Sequence, residues 1–191
     1  MDTGPGPKQG MRRGRVFPAV HARSLVNPLR RLVQPPRRTV GAMVLTPGQK
    51  VLELGCGPGF FSPFLAEAVS HGSVVLVDLQ FPMLLHARKR LVARSNVLYL
   101  VGEASALPLR AACFDAVLLA TVLGEVRKRD SCLEEIRRVL APGGIVTVVE
   151  TRRDADFIAF PKLRRQFYHH GFAFMDRQGG TWQYAARFRA I

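Results

Sequence analysis

The apolar run Val51-Leu52-Glu53-Leu54 passes directly into Gly55-Cys56-Gly57-Pro58-Gly59-Phe60, and this junction constrains the chain more than any other stretch. Glycine at alternate positions suits a backbone that turns through positive φ and lies close against a ligand. The apolar run before the loop and the mixed stretch after it predict a buried strand, a loop and a helix in series, with the first N–H groups of the helix facing whatever the loop holds. Nineteen residues beyond Gly59, a second apolar run, Val74-Val75-Leu76-Val77, ends in Asp78, a carboxylate placed to accept hydrogen bonds from ribose hydroxyls. A nucleotide-bearing cofactor over the carboxyl ends of parallel strands is the expectation.

The spacing separates the cofactor classes. A dinucleotide fingerprint needs G-x-G-x-x-G, but Phe60 stands where the third glycine would fall. No Gly-Lys-Ser/Thr follows the loop, which excludes a phosphate-binding P-loop. The pattern formed by Glu53, Gly55, Gly57 and Gly59, E-x-G-x-G-x-G, instead resembles the first motif of class I S-adenosylmethionine (SAM) dependent methyltransferases. Later segments extend the likeness in the same order. Leu98 to Val101 followed by Gly102-Glu103-Ala104 resembles the family's third strand and adenine-contacting turn, and Phe114 to Ala120 its fourth strand. A helical stretch from Cys132 to Leu140, the Ala141-Pro142-Gly143-Gly144 turn and the strand Ile145 to Val149 complete it, so the resemblance covers about Pro47 to Glu150, nearest to the broad group that includes quinone-biosynthesis C-methylases. It implies a Rossmann-like α/β fold, a seven-stranded and mostly parallel sheet with helices on both faces and a C-terminal antiparallel hairpin.

The resemblance also assigns roles. The backbone of Gly55, Cys56, Gly57 and Gly59 would cradle the methionine part of SAM, with Glu53 near its amino group. Asp78 would accept from the ribose, Leu79 would pack on adenine, Glu103 and Ala104 would meet the adenine edge, and Ala120 and Thr121 would lie nearest the methyl group. Duller roles compete for each: Asp78 as a strand-end residue, Glu53 as a structural carboxylate, and Cys56 as a small filler.

At 191 residues, 48% of them hydrophobic, the chain suits one domain with a buried interior. We expect a flexible basic arm over 1–20 and one domain over 21–191, divided into a helical cap (21–46), a SAM-binding core (47–150) and a C-terminal helix and hairpin (151–191). Leu29, Leu32 and Val33 share one face of the cap, which a Pro35-Pro36 break divides into two short helices. The Gly4-Pro5-Gly6-Pro7 stretch argues against the amphipathic helix of a transit peptide. In the C-terminal part, Pro161 to His170 reads as a helix ended by Gly171, Phe172 to Met175 as a strand, and Trp182 to Arg189 as a strand with Trp182, Tyr184, Ala186 and Phe188 facing inward. Three cysteines without C-x-x-C spacing suggest neither a disulfide framework nor a metal site. With no bilayer-length apolar run and no apolar leader, a cytoplasmic location is expected.

The formal net charge of +14 is unevenly spread. Residues 51–150 hold ten Lys/Arg and ten Asp/Glu, whereas 1–50 hold ten against one and 151–191 hold eight against three. Basic flanks around a neutral core can attract an anionic or amphipathic small acceptor, a nucleic acid or a membrane surface, or can simply be solvated.

No residue stands out as a general base. Glu125 follows the fourth strand, while His21, Tyr168, His169 and His170 come from flanks that could meet over the pocket. After Ala120 the chain lacks the Asn/Asp-Pro-Pro-Tyr/Phe that resembles amino methylation, and it lacks a Pro-Cys nucleophile, an arsenic-binding cysteine set and the carboxylate cluster of catechol-type metal sites. A small-molecule methyl acceptor is the first reading. An RNA or protein methyltransferase using the basic flanks and a non-catalytic SAM-binding adaptor are the alternatives.

Overall fold

A computed structural model describes residues 18, 22–26 and 34–191. The expected basic arm, His21 and the cap residues Leu29, Leu32 and Val33 lie outside the described residues. In chain order the elements are α1 (Ala22–Leu25), α2 (Pro36–Gly41), β1 (Lys50–Leu54), α3 (Ser62–Ala68), β2 (Ser73–Asp78), α4 (Phe81–Arg90), β3 (Val97–Val101), β4 (Phe114–Ala120), α5 (Arg129–Val139), β5 (Leu140–Thr151), α6 (Phe160–His169), β6 (Phe172–Gly179) and β7 (Gln183–Ala190).

The strands form a seven-stranded sheet in the order β3-β2-β1-β4-β5-β7-β6. β1 to β5 are parallel, and β7 runs antiparallel to both β5 and β6. The order reverses direction beside β1, which opens a crevice between the carboxyl ends of β1 and β4, where such sheets bind ligands. Side-chain alternation divides the core in two. Leu52 and Leu54 of β1 pack on one face with Leu133 and Ile136 of α5, Leu163 and Phe167 of α6, and Tyr184 and Phe188 of β7. Val51 of β1 packs on the other face with Leu65 of α3, Leu84 and Ala87 of α4, and Val40 of α2. Both faces are thus covered, which is why the parallel strands read as continuous apolar runs.

Two local expectations need correction. Trp182 does not face inward: it is 75% exposed and precedes β7, whose pairing begins at Gln183, while Tyr184, Ala186 and Phe188 keep the buried alternation. The Pro142-Gly143-Gly144 turn is not a gap between helix and strand. Phe114 pairs with Leu140 and Ala116 with Ile145, so the turn bulges out of a strand that has already begun, with Gly143 at φ +75°. The C-terminal helix ends as expected at Gly171, φ +75°.

Candidate cofactor and acceptor site

The glycine loop is fastened to β2 from below. Gly55 and Cys56 both donate backbone N–H bonds to the Val77 carbonyl, at 2.8 and 3.1 Å. Gly57 N–H donates to Asp78 Oδ2 at 2.8 Å, and Gln80 N–H donates to Asp78 Oδ1 at 2.8 Å. The Asp78 carboxylate therefore joins loop to strand, yet each oxygen still has acceptor capacity for a hydroxyl, since a carboxylate offers about four lone-pair sites. Burial pushes the Asp78 carboxyl above its ordinary value, partly offset by these two N–H bonds.

Positive φ is required three times: Gly55 at +68°, Gly57 at +54° and Gly59 at +77°. The three differ in what surrounds them. A Cβ at Gly55 would lie 2.5 Å from Val122 Cγ2, and one at Gly59 would lie 3.1 Å from Ala87 Cβ. At Gly57 the nearest atom would be Leu25 Cδ1 at 3.9 Å. Gly55 and Gly59 are thus packing glycines, while at Gly57 a Cβ would meet, among the described residues, only Leu25 at ordinary contact distance, which suits a backbone that a methionine tail lies against. The loop and Asp78 fit SAM on these grounds.

Beneath the loop, the Ser62 hydroxyl donates to Glu53 Oε2 at 2.5 Å, tying β1 to the first residue of α3. Glu53 is buried. Cys56 is buried too, and burial, with Glu53 and Asp78 nearby, drives its thiol well above the ordinary range, so it behaves as a filler rather than a thiolate. Leu79 projects from the end of β2, 52% exposed, where a planar base can lie on it. After β3, Glu103 accepts from the Ser105 hydroxyl at 2.5 Å and bridges to Ala106, which fixes the turn containing Ala104.

The end of β4 forms the other wall. Thr121 has φ +57°, an outlier for a β-branched residue, held by its N–H to the Val149 carbonyl at 2.8 Å and its hydroxyl to the Ala120 carbonyl at 2.7 Å. This turn brings Val122 over Gly55. Val122 has no motif to mark it, and only the close approach identifies it as part of the wall. The 121–128 turn also meets the loop after β5: a Cβ at Gly124 would lie 2.1 Å from the Asp156 carbonyl. Glu125 stands on this turn, half-buried, with its N–H donating to the Val122 carbonyl at 2.9 Å.

Glu150, at the carboxyl end of β5, is a second residue that sequence reasoning missed. It is 1% exposed, accepts from Ile158 N–H at 3.0 Å through Oε2, and its Oε1 has no partner among the described residues. Burial raises its pKa to about 8. Tyr184 donates to the Ile158 carbonyl at 2.6 Å, so both polar groups of Ile158 are held and the loop after β5 is latched to the sheet.

The aromatic and histidine candidates from the C-terminal segment do not reach this site. α6 begins beside the carboxyl end of β5 and runs toward the opposite edge, where Gly171 accepts from Ile191 N–H and Ile145 pairs with Arg189. Tyr168 is 72% exposed there, beside His169. His170 contacts the Gln166 carbonyl through Nδ1 at 2.9 Å and Asp130 through Nε2 at 3.4 Å. The three thus stand at the carboxyl end of α6, with His170 tied to Asp130 in the first turn of α5. Among the described residues no group of three or more metal-ligating side chains is assembled, and no helix is long and apolar enough to cross a membrane.

A profile described as a methyltransferase domain matches residues 52–148. The chain belongs to the class I SAM-dependent methyltransferases, a family whose cofactor is SAM. It is 36% identical over 118 residues to the ubiquinone/menaquinone biosynthesis C-methyltransferase UbiE of Shewanella frigidimarina, covering 60% of this chain and 47% of that protein. It is 37% identical over 123 residues to an uncharacterised 37.1 kDa protein in a transposon of Streptomyces fradiae, covering 64% and 36%. The chain thus spans about half, or less, of these curated relatives. A SAM-dependent methyltransferase from Aquifex aeolicus superposes with a TM-score of 0.86 at 21% identity, covering 92% of this chain and all of that one. The [4+2]-cyclase SpnF shares the fold as well, with a TM-score of 0.73 at 18% identity and 82% and 80% coverage, so the fold by itself does not fix the reaction.

Proposed function

We propose that this chain transfers the SAM methyl group to a small amphipathic acceptor, with an electron-rich ring carbon as the methylated atom. The observation that carries the reading is the joint of Gly57 and Asp78, uncrowded by the described residues, in a loop whose Gly55 packs under the strained turn that follows β4. The 36% identity to a quinone-pathway C-methyltransferase across the same core supports the acceptor class.

When bound, SAM supplies an electrophilic methyl carbon, and the protein's work is positioning and exclusion of water. In this reading Gly57 and its neighbours hold the methionine tail, Asp78 accepts the ribose hydroxyls, and Leu79 with Ala104 and Glu103 frames the adenine. Ala120 and Thr121 face the methyl, Val122 closes the roof over Gly55, and the paired loops 121–128 and 152–159 flank the acceptor's entry. Glu125 is the candidate to take a proton from the acceptor, since it stands on the rim turn after β4.

The test is incubation with methyl-labelled SAM and a panel of phenols and hydroquinones bearing short apolar tails, followed by mass spectrometry of the products. Label on a ring carbon, with turnover depressed in Glu125→Gln, is the expected result. Label only on oxygen, or no label in any acceptor despite SAM binding, would contradict it.

A further inference from the structure

We propose that the hairpin end of the carboxyl rim, built from the tips of β5, β6 and β7 and the start of α6, is a docking surface for an anionic lipid bilayer. The only tryptophan of the chain, Trp182, sits there, 75% exposed, at the turn between β6 and β7. Its position is fixed. Arg152 N–H donates to the Trp182 carbonyl at 2.8 Å and Arg152 Nε to the Thr181 carbonyl at 3.0 Å, so the turn is pinned to the end of β5. An indole held outward on a rigid turn, away from the core, is the arrangement that suits the boundary between headgroups and acyl chains.

Cations lie on the adjoining loop after β5 and on the first turns of α6. Arg153, Lys162 and Arg165 are exposed and make no side-chain hydrogen bond or ion pair among the described residues. The acidic residues nearby offer little compensation: Asp176 is taken up by Arg187, while Asp154 and Asp156 are half-buried within their own loop. Unpaired cations beside an exposed indole complement an anionic membrane surface.

A single-stranded nucleic acid is the competing polyanion, and the rings argue against it. Nucleic-acid grooves offer open aromatic faces to the bases. Here Arg152 lies over Phe157 at 5.3 Å, Arg177 over Phe160 at 4.7 Å and Arg164 over Phe174 at 5.1 Å, so the chain's own guanidinium groups cover these platforms. At the other flank of the same rim Phe81, 58% exposed, opens α4, about four strand spacings or ~19 Å away across the sheet. The site mouth lies between the two apolar points and would face the bilayer, where a lipophilic molecule would be met. The surface goes beyond the acceptor reading, because docking requires no turnover.

Trp182 is its own reporter. Its emission is recorded as the full chain is titrated with vesicles of phosphatidylcholine mixed with phosphatidylglycerol, with vesicles of phosphatidylcholine alone, and with single-stranded RNA, all at the same moderate salt. A blue shift and protection from acrylamide with the anionic vesicles only is the expected result. The Arg153→Ser/Lys162→Ser/Arg165→Ser variant should bind those vesicles roughly a hundredfold more weakly, each lost cation weakening the attraction about fivefold. SAM binding by calorimetry shows that the variant is folded and tests the cofactor separately. No shift with anionic vesicles, an equal shift with neutral ones, or an emission response to RNA at lower concentration than to vesicles would overturn the proposal.

Discussion

Gly55 and Gly57 are two residues apart and chemically identical, yet the structure asks different things of them. At Gly55 a methyl group would strike Val122 at 2.5 Å in addition to straining φ +68°; at Gly57, among the described residues, only the φ of +54° opposes it. Gly57→Ala should therefore cost about 1 to 2 kcal/mol of stability, the penalty of a left-handed conformation for an L residue, and weaken SAM binding because the methyl enters the cradle. Gly55→Ala should cost more, through displacement of Val122. Urea denaturation of both variants checks the order, and a smaller loss at Gly55 would refute the packing argument. Glu150 makes a prediction in pH. Its carboxyl is raised from 4.5 to about 8 by burial, so the neutral form is the one the fold favours. The stability it contributes is present below pH 4.5 and is lost as pH rises to 8. Asp154 and Asp156 strengthen this trend and Arg129 opposes it. The thermal midpoint should accordingly fall less steeply across that interval in Glu150→Gln than in the wild type; parallel curves would mean that Glu150 is already ionised.

Elements divide into those whose order the sequence carries locally and those it does not. The strand, glycine loop and acidic strand-end were legible because period and spacing are local: Val51 and Leu52 face opposite packed layers, so β1 is apolar on both faces apart from Glu53. β7 was legible from Tyr184, Ala186 and Phe188, but its start was not. Trp182 has the size and apolar character of a core residue, but it lies in the turn before the Gln183 pairing begins, where Arg152 N–H holds its carbonyl and its side chain is exposed. The helix α6 shows the same limit for the site. Its existence was readable, but its direction depends on sheet topology, so where Tyr168, His169 and His170 would stand relative to the pocket was not. Val122 was invisible because its role rests on a strained turn at Thr121 rather than on a residue pattern. Packing at β7 is testable directly. Phe188 is fully buried and stacked on Phe167 at a centroid distance of 4.2 Å, so Phe188→Ala should destabilise the fold by about 3 to 5 kcal/mol, as read from the shift in denaturation midpoint. A loss below 1 kcal/mol would mean that the hairpin contributes little to the core.

At the scale of the whole molecule, a charge-neutral parallel core carries the cofactor loop, and an excess of positive charge lies in the segments that flank it. The overall likeness to the Aquifex aeolicus enzyme extends through 92% of the chain at 21% identity, whereas the motif-bearing residues are concentrated between Glu53 and Thr121. Fold thus persists where residue identity does not, because the sheet order requires only apolar alternation and short connections, while cofactor binding requires particular atoms. The central claim is that Asp78 and the glycine loop bind SAM. Isothermal titration of the wild type and Asp78→Ala with SAM, with NAD as a control, tests it most directly. Saturable binding of SAM and no binding of NAD are predicted for the wild type. In a folded Asp78→Ala the affinity should fall by about 1.5 to 3 kcal/mol, roughly ten- to a hundredfold, the worth of hydrogen bonds to a charged group. Unchanged affinity in the variant, or no SAM binding by the wild type, would contradict the account.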